Sequence, residues 1–200
     1  MSKLLIIVGF GGHAKVAANI AKLCGYQPHH LDDDEKHKEY VLGTTEMIGK
    51  FYASDTCYFC AIGDNKNRRK IMEENNVKWI NLIHPSAQVS EFRAQMGVGN
   101  MICAGSVIEP ETFIGNGNIF NTNSSVNHDC VINDFNHIGP GTNICSGVVM
   151  GDENLFGVGS SVISNVKIGS RNLFGAGSVI VHDMYTNDGK FLGVPARPMS

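Results

Sequence analysis

The sequence has no excess of positive charge, no long apolar run and no repeated cysteine pair, and each absence argues against a class of protein. The 16 lysines and arginines are outnumbered by 19 aspartates and glutamates, so no basic surface for nucleic acid is expected. No apolar stretch is long enough to span a bilayer. The apolar run near the N-terminus leads directly into glycines, which favours a buried strand over a signal peptide and predicts a cytoplasmic protein.

Cysteine is present, but its pattern does not indicate a site. Without a predicted secretion signal, the six cysteines are expected to be reduced. Cys57 and Cys60 form a CxxC pattern inside an apolar, strand-like segment and not at the start of a helix. Because no second pair accompanies it, neither a zinc site nor a redox motif is predicted there.

A period of six residues dominates the second half of the chain. It is neither a helix nor an ordinary strand pattern, and it is typical of a hexapeptide β-helix, in which three hexapeptides close one triangular coil. We therefore predict a mainly β fold, with a left-handed parallel β-helix and a C-terminal tail over residues 83–200. The apolar residue at every sixth position, which should point inward, is Ile102, Ile108, Ile114, Phe120, Val126, Ile132, Ile138, Ile144, Met150, Phe156, Val162, Ile168, Phe174 and Ile180.

The register is interrupted at both ends of the repeat. Val89 is one residue out of step with Met96, which predicts a bulge at a corner between residues 91 and 95. After Ile180 the period fails, and residues 191–197 are predicted to form a tail strand that covers the last coil.

Residues 1–82 show a different pattern, which predicts a small Rossmann-like α/β domain. An apolar strand leads into Gly9-Phe10-Gly11-Gly12-His13-Ala14 and then into a segment with helical spacing. Glycines let the backbone approach a phosphate, and a helix N-terminus favours an anion, so His13 and Lys15 are expected to face phosphates. The alternative interpretation is a purely structural turn.

Further along this domain, Asp32 and Asp33 end a weak strand and could meet a ribose hydroxyl. A later helix is expected to place Arg68, Arg69 and Lys70 on its polar side. About 80 residues are too few for a complete dinucleotide fold, so a mononucleotide or nucleotide-linked sugar is predicted in preference to NAD.

Polar corner residues that the repeat does not require are the candidate catalytic groups: His128, Asp129 and His137. Coils stack about 4.8 Å apart, so residues 18 positions apart lie above one another. His128 and Ser146 then share one corner column. His137 is half a coil from His128, so a neighbouring subunit is needed to bring the two together. The alternative is that His128 is an ordinary surface residue.

A zinc site shared by histidines of the repeat is not predicted. His128 and His182 are three coils apart, roughly 14 Å, which is too far for both to bind one metal ion.

Val158 and Ala176 occupy a second corner column, together with Pro140.

The chain resembles the sugar acyltransferases related to sialic acid O-acetyltransferases, and in particular the bacterial UDP-4-amino-sugar N-acetyltransferases of the bacillosamine type. The resemblance covers nearly the whole chain. It is carried by residues 11–15, 31–33, 61–65, 81–85, 121–130 and 193–197. It implies a homotrimer with active sites between subunits, acetyl-CoA as the donor and a nucleotide-linked amino sugar as the acceptor.

Roles for individual residues follow from the same resemblance. It implies that His128 is the general base, with Asp129 where the family often has glutamate. Residues expected near acetyl-CoA are His137 and the backbone groups of Ser146, Val158 and Ala176. Residues expected to bind the nucleotide sugar are Gly11, Gly12, His13, Asp32, Asp33 and Gly63.

The chemistry of acyl transfer agrees with this assignment. Direct transfer needs a base for the attacking amine and a hydrogen-bond donor to the carbonyl oxygen. His128 can be that base, and the Ser146 backbone N–H one coil above can be that donor. We therefore predict an acetyl-CoA-dependent N-acetyltransferase acting on the 4-amino group of a UDP-linked amino sugar. An O-acetyltransferase for sialic acid or a related sugar and a non-catalytic nucleotide-binding scaffold are the alternatives.

Overall fold

The computed structural model describes residues 3–51 and 56–199, and its N-terminal part is a small α/β unit. The strands are β1 (Lys3–Val8), β2 (Tyr26–Leu31) and β3 (Cys57–Cys60), and the helices are α1 (Gly12–Leu23) and α2 (Asn65–Glu74). The strands are parallel, in the order β2–β1–β3. Two 3₁₀ helices, Glu35–His37 and Thr45–Met47, lie between β2 and β3.

Local sequence explains the central strand and the first helix. Residues 5–8 of β1 are all fully buried, as expected for a parallel strand covered on both faces. Helix α1 buries Ala14, Ala17, Ile20 and Ala21, which recur at intervals of three or four residues and form one apolar face. Gly25, at a φ of +81°, follows the end of the helix in a conformation that glycine adopts without strain.

The remainder is a left-handed parallel β-helix of about six coils, which confirms the predicted fold class. Its short strands are β4 (Leu82–Ile83), β5 (Gln88–Val89), β6 (Gln95–Met96), β7 (Met101–Ile102), β8 (Val107–Ile108), β9 (Phe113–Ile114), β10 (Ile119–Phe120), β11 (Ser125–Val126), β12 (Val131–Ile132), β13 (His137–Ile138), β14 (Asn143–Ile144), β15 (Val149–Met150), β16 (Leu155–Phe156), β17 (Ser161–Val162), β18 (Lys167–Ile168), β19 (Leu173–Phe174), β20 (Val179–Ile180), β21 (Lys190–Leu192) and β22 (Arg197–Pro198).

These strands form three sheets along the axis of the helix. We call the sheet that contains β4, β7, β10, β13, β16, β19, β21 and β22 the front sheet. The second sheet contains β5, β8, β11, β14, β17 and β20, and the third contains β6, β9, β12, β15 and β18. Each coil therefore contributes one strand to each sheet.

The interior of the β-helix is apolar, with one buried row of asparagines. All fourteen residues of the predicted inward set are at most 5% exposed, which confirms the register. At one corner, the side-chain oxygen of each asparagine accepts the backbone N–H of the asparagine one coil on. The distances are 2.7 Å from Asn118 to Asn100, 2.8 Å from Asn136 to Asn118, 2.8 Å from Asn154 to Asn136 and 3.0 Å from Asn172 to Asn154.

Both predicted interruptions of the repeat are confirmed. Val89 pairs with Ile108, 19 positions on, whereas Met96 pairs with Ile114, 18 positions on, so the extra residue lies between Val89 and Met96. At the other end, β21 pairs with β19 and β22 runs antiparallel to β21. Phe191 and Ala196 pack into the main core, so the tail covers the last coil.

The α/β unit packs against the early coils of the front sheet. Met101 and Ile119 point outward from that sheet and join Leu5, Ile7 and Ala17 in one buried cluster. His137 is the next outward residue of the front sheet and lies at the edge of this covered area. Among the residues described, no helix is long and apolar enough to cross a membrane.

Candidate active site

The corner between β11 and β12 holds His128 and Asp129 in direct contact. Nδ1 of His128 lies 2.6 Å from Oδ2 of Asp129. Because an ionised carboxylate only accepts hydrogen bonds, the proton of the neutral ring is on Nδ1, which leaves Nε2 as an acceptor. Both side chains are 58% exposed, so the ring is accessible from solvent.

Backbone geometry explains why two adjacent side chains meet. In an extended strand they would point to opposite faces, but Asp129 has a φ of +61° and the chain turns there. Aspartate is among the few residues that adopt this left-handed conformation readily. The contact between His128 and Asp129 is therefore a consequence of the corner.

Ser146 completes this group, which we call the His128 corner. Its hydroxyl lies 3.1 Å from Nε2 of His128 and donates to that nitrogen. The stacking of the coils places Ser146 there, since Gly147 N–H donates to the carbonyl of His128 at 3.1 Å. The spacing of 18 residues predicted that Ser146 lies above His128, and the structure confirms this position. The spacing did not predict the hydrogen bond between the Ser146 hydroxyl and His128.

A second group, the histidine pair, consists of His13 at the start of α1 and His137 on β13. Their ring centroids are 5.1 Å apart and the rings meet edge to face at 82°. Burial, and then the neighbouring His13 and Arg68, lower the pKa of His137 to about 3. Burial, and then Arg68, also lower the pKa of His13. Both rings are therefore neutral near pH 7.

Gly63 and the glycine turn border this pair. A Cβ on Gly63 would lie 3.0 Å from ring atoms of His13, so the absence of a side chain at Gly63 makes room for the imidazole. Gly11 and Gly12 have open space where a Cβ would be, and Gly11 provides no side-chain cap for α1. The start of α1 thus offers backbone N–H groups beside open space, and Lys15 is exposed one turn further on.

The two predicted ribose ligands are engaged by the protein itself. Asp32 accepts hydrogen bonds from Phe10 N–H, Asp34 N–H and His37 Nδ1, each at 2.9 Å. Burial alone would raise the pKa of Asp32, but the bonds from His37, Asp34 and Phe10 outweigh it and lower this pKa. Asp33 accepts from the backbone N–H of Thr45 at 2.7 Å and from its hydroxyl at 2.8 Å. Asp32 thus holds the glycine turn through Phe10, and Asp33 holds the start of the second 3₁₀ helix through Thr45.

Arg68 corrects one expectation, because it lies in the interior and not on the polar side of α2. It is fully buried, and burial lowers its pKa to about 10. Its guanidinium donates to the carbonyls of Ile62 and Gly63 in the α/β unit, at 2.9 and 3.2 Å. It also donates to the carbonyls of Gly117 and Phe135 in the β-helix, at 2.7 and 2.9 Å.

The reason for this burial is that Arg68 lies between the two units, where backbone carbonyls of both accept hydrogen bonds from its guanidinium. The sequence feature that could have indicated burial of this helix face is Met72, which lies four residues after Arg68 on the same face and is also buried. Arg69 and Lys70 do lie toward solvent, and Arg69 pairs with Glu73, Asp152 and Glu153.

A cleft of about 300 Å³ opens where α2 begins, beside the front sheet. Gly63, Asp64, Asn65 and Lys66 line one side, and Leu155, Asn172 and Leu173 line the other. Because Gly63 borders both this cleft and His13, the cleft adjoins the histidine pair. Its walls combine the start of a helix with apolar side chains, which suits a ligand with a polar and an apolar part.

The structure keeps the two groups of site residues apart within one chain. His13, His137 and Gly63 lie at the front sheet, whereas His128, Asp129 and Ser146 lie at the corner between the second and third sheets. Val158 and Ala176 are exposed at a different corner, between the front and second sheets. Among residues 3–51 and 56–199, no cluster of three or more histidine, cysteine or acidic side chains is placed to hold a metal ion.

Comparison with known proteins places this arrangement in context. Residues 4–75 match the family described as the PglD N-terminal domain. A search of curated proteins finds an uncharacterised protein of Acanthamoeba polyphaga mimivirus, 33% identical over 114 residues. That match covers 54% of this chain, and the chain spans about a quarter of that relative's length, 23%.

Solved structures extend the similarity to the whole chain. The acetyltransferase domain of PglB from Neisseria gonorrhoeae, in complex with acetyl coenzyme A, is 32% identical, with a TM-score of 0.92 and 100% of both chains covered. PerB from Caulobacter crescentus, in complex with CoA and GDP-perosamine, is 33% identical, with a TM-score of 0.85, over 98% of this chain and 97% of that one. By its β-helix, its N-terminal domain and its sequence, this chain belongs to the PglD-like acetyltransferase family.

Proposed function

We propose that this protein transfers the acetyl group of acetyl-CoA to the 4-amino group of a nucleotide-linked amino sugar, with UDP as the expected nucleotide. The observation that carries the proposal is the exposed His128 corner, in which Asp129 holds the imidazole at Nδ1 and leaves Nε2 as the acceptor. Two similar proteins were solved with acetyl-CoA or with CoA and a nucleotide-linked amino sugar, which supports the donor and the class of acceptor.

In the proposed mechanism His128 is the general base. The acceptor amine takes the place of the Ser146 hydroxyl at Nε2, gives up its proton there and attacks the thioester carbonyl. The carbon–sulfur bond of the tetrahedral intermediate then breaks, and the Nε2 proton passes to the sulfur of the departing CoA. Asp129 keeps the ring in the required tautomer and stabilises the imidazolium that forms. The backbone N–H of Ser146 is the proposed donor to the oxygen of the tetrahedral intermediate.

The acceptor is proposed to lie at the histidine pair. The uncapped start of α1 and the exposed Lys15 suit its phosphates, and the cleft beside Gly63 suits the sugar. His13 Nε2 is buried without a hydrogen-bond partner in the described part of the chain. Since a buried polar atom left unpaired is costly, His13 supports a bound polar group there. His137, Val158 and Ala176 are proposed to lie along acetyl-CoA.

A homotrimer is part of the proposal, because one chain does not bring the acceptor cleft and His128 together. Side-by-side packing of three β-helices would place His128 of one subunit opposite His137 of the next, in three equal sites. The exposed apolar side chains Phe113 and Val149, on the third sheet, support packing of this face. Light scattering combined with activity tests this point, and an active monomer would contradict it.

The nucleotide is tested by an acceptor screen. UDP-linked 4-amino sugars are expected to give the highest kcat/KM, and GDP- and dTDP-linked ones are compared because the similar PerB was solved with GDP-perosamine. Activity on free sialic acid alone would favour an O-acetyltransferase. Failure to bind acetyl-CoA at millimolar concentration would favour a non-catalytic scaffold. A cytoplasmic location stays a prediction from the sequence.

The role of His128 is tested by substitution. His128→Ala is expected to lower kcat by about 10²–10⁴-fold, the usual contribution of a general base, while acetyl-CoA still binds. His182→Ala is the matched control, since His182 occupies the same corner column three coils away and is exposed. A His128→Ala rate within about tenfold of wild type would mean that proximity suffices and that His128 is not the base.

A further inference from the structure

Three side chains of the His128 corner form a continuous chain of hydrogen bonds, and direct transfer has no role for the last of them, the Ser146 hydroxyl. The carboxylate of Asp129 binds Nδ1 of His128 at 2.6 Å, and Nε2 of His128 accepts from the Ser146 hydroxyl at 3.1 Å. A hydroxyl within hydrogen-bonding reach of a base, where the base is itself oriented by a third group, is the arrangement that activates a nucleophile.

The Ser146 hydroxyl has no evident structural role. Other corner residues of the repeat, such as Ser106 and Ser160, are fully buried and donate to backbone carbonyls across the coil. Ser146 is partly exposed, and the side-chain hydrogen bond of its hydroxyl is to His128. The stacking of coils therefore positions an accessible hydroxyl at a base.

We propose that Ser146 is a nucleophile and that this corner hydrolyses acetyl-CoA through an acetyl-Ser146 intermediate when no acceptor sugar is bound. The inference rests on the proposed function, because it requires the thioester of acetyl-CoA to lie at His128. With an acceptor bound, its amine occupies Nε2 and the direct route prevails. Without one, Ser146 is the group at that nitrogen.

The steps balance without a further reagent. The Ser146 oxygen bonds to the acetyl carbon as its proton moves to Nε2, the carbon–sulfur bond breaks, and the Nε2 proton passes to the sulfur of CoA. Water then gives a proton to Nε2 and attacks the acetyl carbon, and the Ser146 oxygen leaves with that proton. The products are CoA and acetic acid, and the enzyme is regenerated.

The experiment measures release of the CoA thiol from acetyl-CoA without acceptor, with acid-quenched samples searched by mass spectrometry for an acetyl group on Ser146. Ser146→Ala and His128→Ala are each expected to lower the release by about 10²-fold or more, the scale of losing a nucleophile or its base. Ser164→Ala, one coil further along the same column, is the matched control and is expected to release CoA at the wild-type rate.

Each outcome separates this inference from the proposed function. If acetyl-CoA does not bind in equilibrium dialysis, both fail. If it binds and the sugar amine is acetylated, but Ser146→Ala releases CoA like wild type, only this inference is overturned. Loss of release without any acetyl-Ser146 would make Ser146 a positioning residue and would overturn it as well. Acetyl on Ser146 together with loss of release in both variants supports it.

Discussion

At the scale of single residues, two sets of histidines are separated by their environments. His128 is exposed and bound to a carboxylate, which suits a group that gains and loses a proton. His13 and His137 are held neutral by burial and by the nearby Arg68 cation, which suits recognition of a polar group without proton transfer. The same residue type is therefore placed in two environments that suit two different tasks.

Replacing Asp129 by asparagine tests how much its charge contributes. Asp129→Asn keeps a side-chain oxygen near Nδ1 but removes the negative charge that supports the imidazolium. We expect kcat to fall by about tenfold, less than for His128→Ala, because the base itself remains. Steady-state kinetics with acetyl-CoA and the acceptor measure this. A loss equal to that of His128→Ala would show that the pair acts as one unit.

Adding one methyl group at Gly63 tests whether the close approach of Gly63 to the His13 imidazole matters for binding of the nucleotide sugar. In Gly63→Ala the new Cβ would lie 3.0 Å from the imidazole of His13, so the ring must shift. We expect a rise of several-fold or more in KM for the nucleotide sugar and little change in KM for acetyl-CoA. Ser164→Ala, at an exposed position of the β-helix away from the histidine pair, is the control. Equal changes in both KM values for Gly63→Ala would contradict the assignment.

At the scale of elements, the β-helix holds itself together in two ways. Its axis is filled by apolar side chains, of which Phe156 and Phe174 stack at 4.6 Å between ring centroids. Along one corner, buried asparagines such as Asn136 bind the backbone of the next coil. The apolar filling provides most of the stability, and the asparagine row satisfies buried N–H groups that would otherwise be costly.

A charged side chain that points into the β-helix should lower the free energy of unfolding far more than one that points outward. Ile138 is fully buried, so Ile138→Asp is expected to lower the free energy of unfolding by about 3–5 kcal/mol or to prevent folding. Asn143→Asp, on the neighbouring strand β14 but pointing outward, should change it by about 0.5 kcal/mol or less. Urea denaturation of both variants measures the difference. Similar stabilities would refute the inward register.

At the scale of the whole molecule, the α/β unit and the β-helix share a buried interface that ends near the cleft beside Gly63. One apolar cluster joins Leu5 and Ala17 to Met101 and Ile119. Arg68 closes the interface near the cleft by donating to carbonyls of both units. The position of Gly63 relative to the front sheet therefore depends on contacts between distant parts of the chain.

Removing the guanidinium of Arg68 should weaken this junction. Arg68→Met leaves several buried carbonyls without donors, and we expect it to lower the free energy of unfolding by about 3 kcal/mol or more. Lys70→Met, two residues later and exposed, is the control and should change it by about 0.5 kcal/mol or less. Equal stability of the two variants in thermal and urea unfolding would show that Arg68 does not join the units.

Stability should also fall on the acid side because of His137. The folded protein holds its pKa at about 3, whereas an unfolded chain takes up the proton near the ordinary value of 6.5. Below about pH 6.5 unfolding therefore gains a proton, and stability falls by about 1.4 kcal/mol per pH unit down to about pH 3. The pKa of His13 is also lowered, so His13 adds to the loss of stability in acid. The charged or titratable groups that lower the pKa of His137 are His13 and Arg68.

His137→Gln isolates this contribution. Between pH 7 and pH 5, wild type is expected to lose about 2 kcal/mol more stability than the variant. Urea unfolding at both pH values measures the loss, and His182→Gln, at an exposed position, controls for replacing any histidine. A variant that loses as much stability as wild type would contradict neutral burial of His137.

The amino-acid sequence alone determined the β-helix, because a prism of stacked coils needs an apolar side chain at every sixth position. A shift of register by one residue would break this period visibly in the sequence. It located the extra residue between Val89 and Met96 for the same reason. The 18-residue spacing also placed Ser146 above His128. These features repeat along the chain, so a local pattern records them.

Only the tertiary structure decided the contacts on which the proposed chemistry depends. Asp129 faces His128 because of a left-handed corner, and His13 meets His137 because the α/β unit packs against the front sheet. Arg68 is buried because carbonyls from distant segments converge on it. These contacts depend on one backbone angle or on residues far apart in the chain. A periodic sequence pattern predicts neither.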